Sequence, residues 1–171
     1  MFDADPQFRA DVLSGLAGPR RAIPARWFYD ERGSELFDEI TRLPEYYPTR
    51  TETALLAQCR ADVAQRVGPG TAVIEFGAGS ATKTPLLLEA VAPAAYVPID
   101  ISGDYLRDAA AALQVNFPLL SVIPIEADFT EAMTLPATVD DMPRLGFFPG
   151  STIGNFIPRS AVNFLRHIRD V

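Results

Sequence analysis

The sequence predicts an α/β protein: a helical cap over residues 1–70, then the first half of a doubly wound parallel sheet over residues 71–171. Three observations carry this. Short apolar runs at Thr71–Phe76, Ala95–Ile99, Leu119–Ile125 and Leu145–Phe148 have strand length and are rich in β-branched or aromatic residues. Helix-length segments separate the first three runs, as parallel strands joined by right-handed crossovers require. The chain before Gly70 has apolar residues at helical spacing instead.

In the cap, Pro6–Leu16 places Phe8, Val12 and Leu16 on one helical face, and Gly18-Pro19 ends it. Ser34–Ile40 is a second helical turn, with Ser34 as the expected N-cap and Phe37 and Ile40 facing inward. Thr49–Val67 is the longest helix, its stripe formed by Leu55, Leu56, Cys59, Val63 and Val67, and Gly68-Pro69-Gly70 stops it. Trp27, Phe28 and Tyr29 read as packing aromatics, and Asp30-Glu31-Arg32 as a solvated turn. After the first strand, a helix is expected over Thr82–Val91. A second, capped by Ser102, follows the strand that ends at Asp100 and runs to about Val115. Arg159–Val171 is the last helix.

The chemistry concentrates at the carboxyl ends of the strands, where open α/β sheets bind ligands. Val73-Ile74-Glu75-Phe76-Gly77-Ala78-Gly79 ends the first strand in an acid and two glycines. Glycine there lets the backbone turn sharply and approach a ligand. The Gly-Lys-Ser/Thr tail of a phosphate-binding P-loop is absent. A dinucleotide site would want a third glycine where Ala81-Thr82-Lys83 stands, and Glu75 would repel a pyrophosphate. An acid before two glycines suits a cationic, phosphate-free cofactor such as S-adenosylmethionine. Asp100, about 20 residues further on, stands where a ribose-hydroxyl acceptor belongs. Asp128 and Phe129, after the third strand, could accept from an adenine amino group and pack on its ring.

Composition removes other classes. A net charge of −7 disfavours general nucleic-acid binding. One cysteine, Cys59, excludes an internal disulfide and a cysteine-based zinc cage, and suits the cytoplasm. One histidine, His167, reads as a surface or packing residue, and no metal site is expected. No apolar run reaches the roughly 18 residues of a membrane span, and the acidic N-terminal stretch from Met1 to Leu13 is not a secretory signal.

Two further stretches flank the glycine loop: Arg26–Glu52 (RWFYDERGSELFDEITRLPEYYPTRTE) and Phe147–Phe156 (FFPGSTIGNF). With the loop between them they resemble the histidine-specific methyltransferases of ergothioneine biosynthesis, from about Ile23 to the end of the chain. The resemblance implies a Rossmann-like S-adenosylmethionine-dependent methyltransferase fold, with about four of its usual seven or so strands in this chain. It implies N-methylation of L-histidine at the α-amino group to give hercynine. Gly77 and Lys83 match cofactor-contacting positions, with Gly79 in the same loop, and Asp100 matches the ribose acid. Asp128 and Phe129 match the adenine-side pair. Tyr47, rather than the adjacent Tyr46, matches a substrate tyrosine, and Asn155 matches the asparagine at the amino acid's amine and carboxylate, with Gly150 on the same wall. The cap is thereby expected to contribute to the substrate site.

The resemblance also implies a second, substrate-binding lobe from later sequence. The chain is therefore expected to be an N-terminal portion, inactive towards histidine alone, that could pair with a separate C-terminal half. The competing readings are a related methyltransferase acting on another amino acid or amine, and a non-catalytic cofactor- or partner-binding module.

Overall fold

The structure is a computed structural model that describes residues 5–171; the first four residues of the acidic N-terminal stretch lie outside the described residues. Helices α1 (Pro6–Ala17), α2 (Glu31–Thr41) and α3 (Pro48–Arg66) form the cap. Then come β1 (Ala72–Phe76), α4 (Thr84–Val91), β2 (Ala95–Asp100), α5 (Gly103–Asn116), β3 (Ser121–Val122), β4 (Ile125–Glu126), β5 (Arg144–Phe147) and α6 (Pro158–Asp170).

The sheet is parallel throughout and ordered β3-β2-β1-β5, with β4 continuing along β2 beyond β3. β1 lies at its centre with every residue buried. Ala72, Ile74 and Phe76 face one apolar layer, where Val139 and Phe164 of α6 cover them. Val73 faces the other, with Leu87, Leu88 and Val91 of α4 and Leu113 of α5. A strand buried on both faces reads as an unbroken apolar run, which is why β1 and β2 stand out in the sequence.

The expected third strand, Leu119–Ile125, is two short pieces instead. The register pairs Tyr96 with Val122 and Ile99 with Ile125, so Pro98 and Pro124 stand opposite each other. Neither has an N–H, so the ladder is interrupted there and resumes on both sides.

In the cap, α2 begins earlier than Ser34. Asp30 is its N-cap, its carboxylate accepting from the Gly33 amide at 2.7 Å. Asp30 to Arg32 therefore starts a helix and is not merely a solvated turn. Ser34 is buried inside the helix, its hydroxyl 3.2 Å from that of Ser102. Ser102 does precede α5, but its hydroxyl donates to the Tyr29 carbonyl instead of capping the helix. The predicted stripe of α3 is only partly used: Val63 and Val67 pack on the α4 side of the sheet, while Leu55 is exposed. Neither α1 nor α3 has a buried residue, and Phe28 is also exposed. Trp27 packs edge-on against Phe8 at 5.2 Å, as a cap aromatic should.

Gly33 is the tightest backbone approach in the cap. A Cβ there would lie 1.8 Å from the Phe28 carbonyl oxygen, whereas one at Gly68 would meet nothing within 4 Å. Gly33→Ala is expected to destabilise the chain by about 2 kcal/mol, since backbone must move. Gly68→Ala should stay within about 0.5 kcal/mol of the parent. Urea denaturation of both variants checks this; equal midpoints would refute it.

Candidate functional site

β1 ends at Phe76, opposite Ile99, and β2 runs on to Asp100. The loop after β1 folds back over the end of β2. The amides of Gly77 and Ala78 donate to the Ile99 carbonyl at 2.8 and 3.1 Å, and that of Gly79 to Asp100 Oδ2 at 2.9 Å. Gly77 and Gly79 have φ of 71° and 50°, which explains the two glycines. A Cβ at Gly77 would also press on the Phe129 ring at 3.3 Å. The other Asp100 oxygen accepts from the Ser102 amide at 3.0 Å. Asp100 thus holds both turns at the strand ends. Its remaining lone pairs are free for a ligand, because a carboxylate offers about four acceptor positions.

The loop forms one wall of a cleft of about 580 Å³, within the range of small-molecule sites. Gly77, Gly79, Lys83, Asp100, Asp128, Phe129, Gly150 and Asn155 all line it, together with Glu75. Eight of the nine predicted site residues therefore meet at one place, although they are spread along the sequence from Gly77 to Asn155. The ninth, Tyr47, is 67% exposed and does not line the cleft. Tyr46 packs edge-on against Phe37 at 5.9 Å. The cap tyrosine that does line the cleft is Tyr29, which the sequence reading assigned to packing. Burial, then the neighbouring Tyr46 and Asp100, push its phenol up, and a polar contact with Asn155 offsets part of this.

Glu75 is buried, and its Oε2 accepts from Thr84 Oγ1 and from the Tyr96 hydroxyl, each at 2.7 Å. Burial raises its carboxyl to about 7, against the opposing hydrogen bonds and Lys83. For Asp128, burial pushes upward too, but the Thr130 hydroxyl and amide together with Arg26 outweigh it and hold the carboxyl below its ordinary value. Arg26 bridges Asp128 at 3.2 Å and Asp11 of α1 at 2.8 Å, and the Trp27 indole donates to the same Asp11 oxygen at 2.8 Å. One Asp128 oxygen takes both Thr130 bonds, the other takes Arg26 alone and keeps acceptor capacity on the cleft side. Phe129 belongs to an aromatic cluster with Phe76, Phe148 and Phe164, so its ring is held from behind.

Two more bridges tie the cap to the rim. Tyr105 of α5 donates to Asp38 of α2; burial first, then that carboxylate, push the phenol up to about 12. Glu52 of α3 pairs with Lys83 and also accepts from the Gly150 amide. Sequence reasoning singled out neither Glu52 nor Arg26. Glu52 sits among polar residues of a solvated-looking helix, and Arg26 meets Asp128 across 102 positions. Among the described residues, no cluster of histidine, cysteine, aspartate and glutamate could hold a metal, and no helix is long and apolar enough to cross a membrane.

The cleft fits S-adenosylmethionine chemically: a buried acid for a positive charge, two further carboxylates with spare acceptor positions, and no phosphate cradle. Parallel strands, the glycine turn and acids at successive strand ends define the Rossmann-like methyltransferase class. A crystal structure from Methanococcus maripaludis, described as an S-adenosylmethionine-dependent methyltransferase, shares the fold with a TM-score of 0.50 at 16% identity, over 81% of this chain and 58% of that one. Residues 8–171 match the model of the histidine-specific, S-adenosylmethionine-dependent methyltransferases, and the chain belongs to that family. It is 40% identical to the histidine N-alpha-methyltransferase of Mycolicibacterium smegmatis, over 95% of this chain and 51% of that protein. It is 27% identical to a 4-dimethylallyltryptophan N-methyltransferase of Claviceps purpurea, over 92% of this chain and 48% of that protein. The chain thus spans about half the length of these curated relatives.

Burial of Glu75 makes the stability of the fold depend on pH. Its folded value, about 7, lies above its ordinary 4.5, so between these pH values the folded chain keeps a proton the unfolded chain has lost. The associated stability is intact below pH 4.5 and is lost as pH rises to about 7. The loss is on the order of 3 kcal/mol. Stability measured from pH 4 to 8 should therefore fall more steeply for the parent than for Glu75→Gln. Parallel curves would refute it.

Proposed function

We propose that this chain forms the cofactor-binding half of an S-adenosylmethionine-dependent N-methyltransferase that acts on L-histidine. The α-amino group is the acceptor, hercynine the product and ergothioneine biosynthesis the context. The observation that carries the reading is the meeting of Glu75, Asp100 and Asp128, from three successive strand ends, around one cleft with the glycine loop. Family membership supports histidine as the substrate.

The cofactor, when bound, supplies an already activated methyl group on a positively charged sulfur. The chain's own residues then have three tasks. Asp100 and Asp128 orient the ligand through their spare lone pairs, on the ribose and adenine sides respectively. Glu75 offers negative charge inside a low-dielectric wall, where it counts for more than in water. Asn155 presents both a donor and an acceptor, matching an amine beside a carboxylate. A free α-amino group has a pKa near ~8, so only a small shift is needed to expose its lone pair. Alignment of nitrogen, methyl and sulfur then supplies much of the rate. The whole activity, the substrate contacts beyond this half, and pairing with a C-terminal half belong to the same proposal. So does a cytoplasmic setting, in which Cys59 stays reduced.

Calorimetric titration tests the cofactor. S-adenosylhomocysteine should bind and NAD should not; the reverse would overturn the class. Asp100→Asn, which keeps an acceptor for the Gly79 amide, should weaken binding by roughly tenfold or more through loss of a charged acceptor. Transfer of labelled methyl tests the substrate, using a protein that joins this chain to the remaining length of its relatives. Label on another amine and none on histidine would overturn the substrate while leaving the class intact.

A further inference from the structure

Glu52 makes contacts that no assigned role explains. It projects from α3 of the cap, and its side chain is 28% exposed. One oxygen, Oε1, accepts from the Gly150 amide at 2.8 Å, and Oε2 lies 3.1 Å from the same amide. Oε2 also pairs with the Lys83 ammonium, whose side chain is only 14% exposed. One carboxylate therefore joins three elements: the cap, the start of α4 after the glycine loop, and the turn after β5.

That turn is itself constrained. Gly150 and Ser151 have φ of 86° and 59°, and the single helical turn Thr152–Asn155 follows directly. A hydrogen bond at the Gly150 amide thus bears on where Asn155 stands. Lys83 lies on the glycine-loop side, and a Cβ at Gly150 would lie 3.9 Å from its ammonium.

We propose that Glu52 is a positioning residue that ties the donor-cofactor wall of the cleft to the amino-acid wall, so that a ligand carboxylate arriving at Lys83 is felt at the Gly150–Asn155 turn. The inference rests on the S-adenosylmethionine reading above. The electrostatics follow from that ligand's chemistry. Its anionic group is its amino-acid carboxylate, and a partly buried ammonium is the natural partner for it. Two carboxylates cannot share Lys83 without repelling one another. Glu52 gives up part of its hold on Lys83 and turns further towards Gly150, so the amide of Gly150 reports on cofactor binding. By linkage, whatever fixes the Gly150–Asn155 turn alters affinity at Lys83 equally.

The test uses amide NMR spectra of the isotopically labelled chain, titrated with S-adenosylhomocysteine and with 5′-methylthioadenosine. The second ligand keeps the adenosine and the sulfur but lacks the amino-acid carboxylate. Both should shift the Gly79 amide, and only S-adenosylhomocysteine should shift Gly150. In Glu52→Gln, which still accepts from Gly150 and so preserves a purely structural bond, S-adenosylhomocysteine should shift Gly79 while Gly150 stays silent. Lys83→Met should give the same pattern from the other partner, and serves where the first variant fails to fold. Unchanged β1 amides certify each variant's fold. An equal Gly150 shift in parent and variants, or with both ligands, overturns the coupling and leaves the cofactor reading standing. A Gly150 amide silent in the parent while Gly79 moves does the same. A parent in which neither amide moves overturns the cofactor reading and this inference with it.

Discussion

Asp100 accepts from the Gly79 amide on one side and the Ser102 amide on the other, and the shape of the cleft follows from those two bonds. Gly79 belongs to the turn after β1, and Ser102 to the turn into α5. Both turns would otherwise leave backbone donors unpaired at the end of a buried sheet, at a cost comparable to a lost hydrogen bond each. A carboxylate at this position satisfies both at once. It does so because β2 carries Asp100 just past the end of β1, which their register secures. The parallel register, the glycine turn and the acid are thus one arrangement, and the spare lone pairs that Asp100 turns to the cleft are its by-product.

The cap meets this arrangement through polar contacts at the cleft rim, and through Val63 and Val67 on the α4 side of the sheet. Its helices α1 and α3 have no buried residue. What reaches the cleft rim is a set of charged or phenolic bridges: Arg26 to Asp128, Asp38 to Tyr105, and Glu52 to Lys83 and Gly150. The side chains of the Arg26–Asp128 and Glu52–Lys83 pairs are only partly exposed, so the cap's position rests on these bridges together with the packing of Val63 and Val67. Each bridge ends on a residue that lines the cleft, so cap placement and ligand placement use the same side chains.

The legible part of the fold was the part made by burial. Apart from Glu75 and the terminal Asp100, β1 and β2 are built of apolar residues, tyrosine and proline, and glycine or an acid bounds them, so their limits could be read to within a residue. The third strand looked continuous because its composition was right; the defect arises only when Pro124 meets Pro98 across a register that sequence alone does not supply. At α2, Asp30 and Ser34 are both good caps, and the choice between them depends on whether Gly33 can approach Phe28. In the site, residues at strand ends were readable because topology sends every strand end to one place. Glu52, Arg26 and Tyr29 were not, because each enters the cleft from the cap, and the cap's orientation is set by long-range pairs. Tyr29, whose carbonyl is held by Ser102, lines the cleft, while Tyr47 is turned out to solvent.

Glu75 gives the acid-and-glycine motif a physical meaning beyond its spacing. Burial costs the charged form of its carboxyl more than Thr84 and Tyr96 return, and raises it to about 7. A cation in the cleft changes that balance, since it stabilises the carboxylate without exposing it to water. On the proposed S-adenosylmethionine reading, a sulfonium in the cleft and loss of the Glu75 proton favour one another. On the proposed reading, the acid buried near the end of β1 responds to a positively charged ligand through its own protonation, which a serine or asparagine at that position could not do.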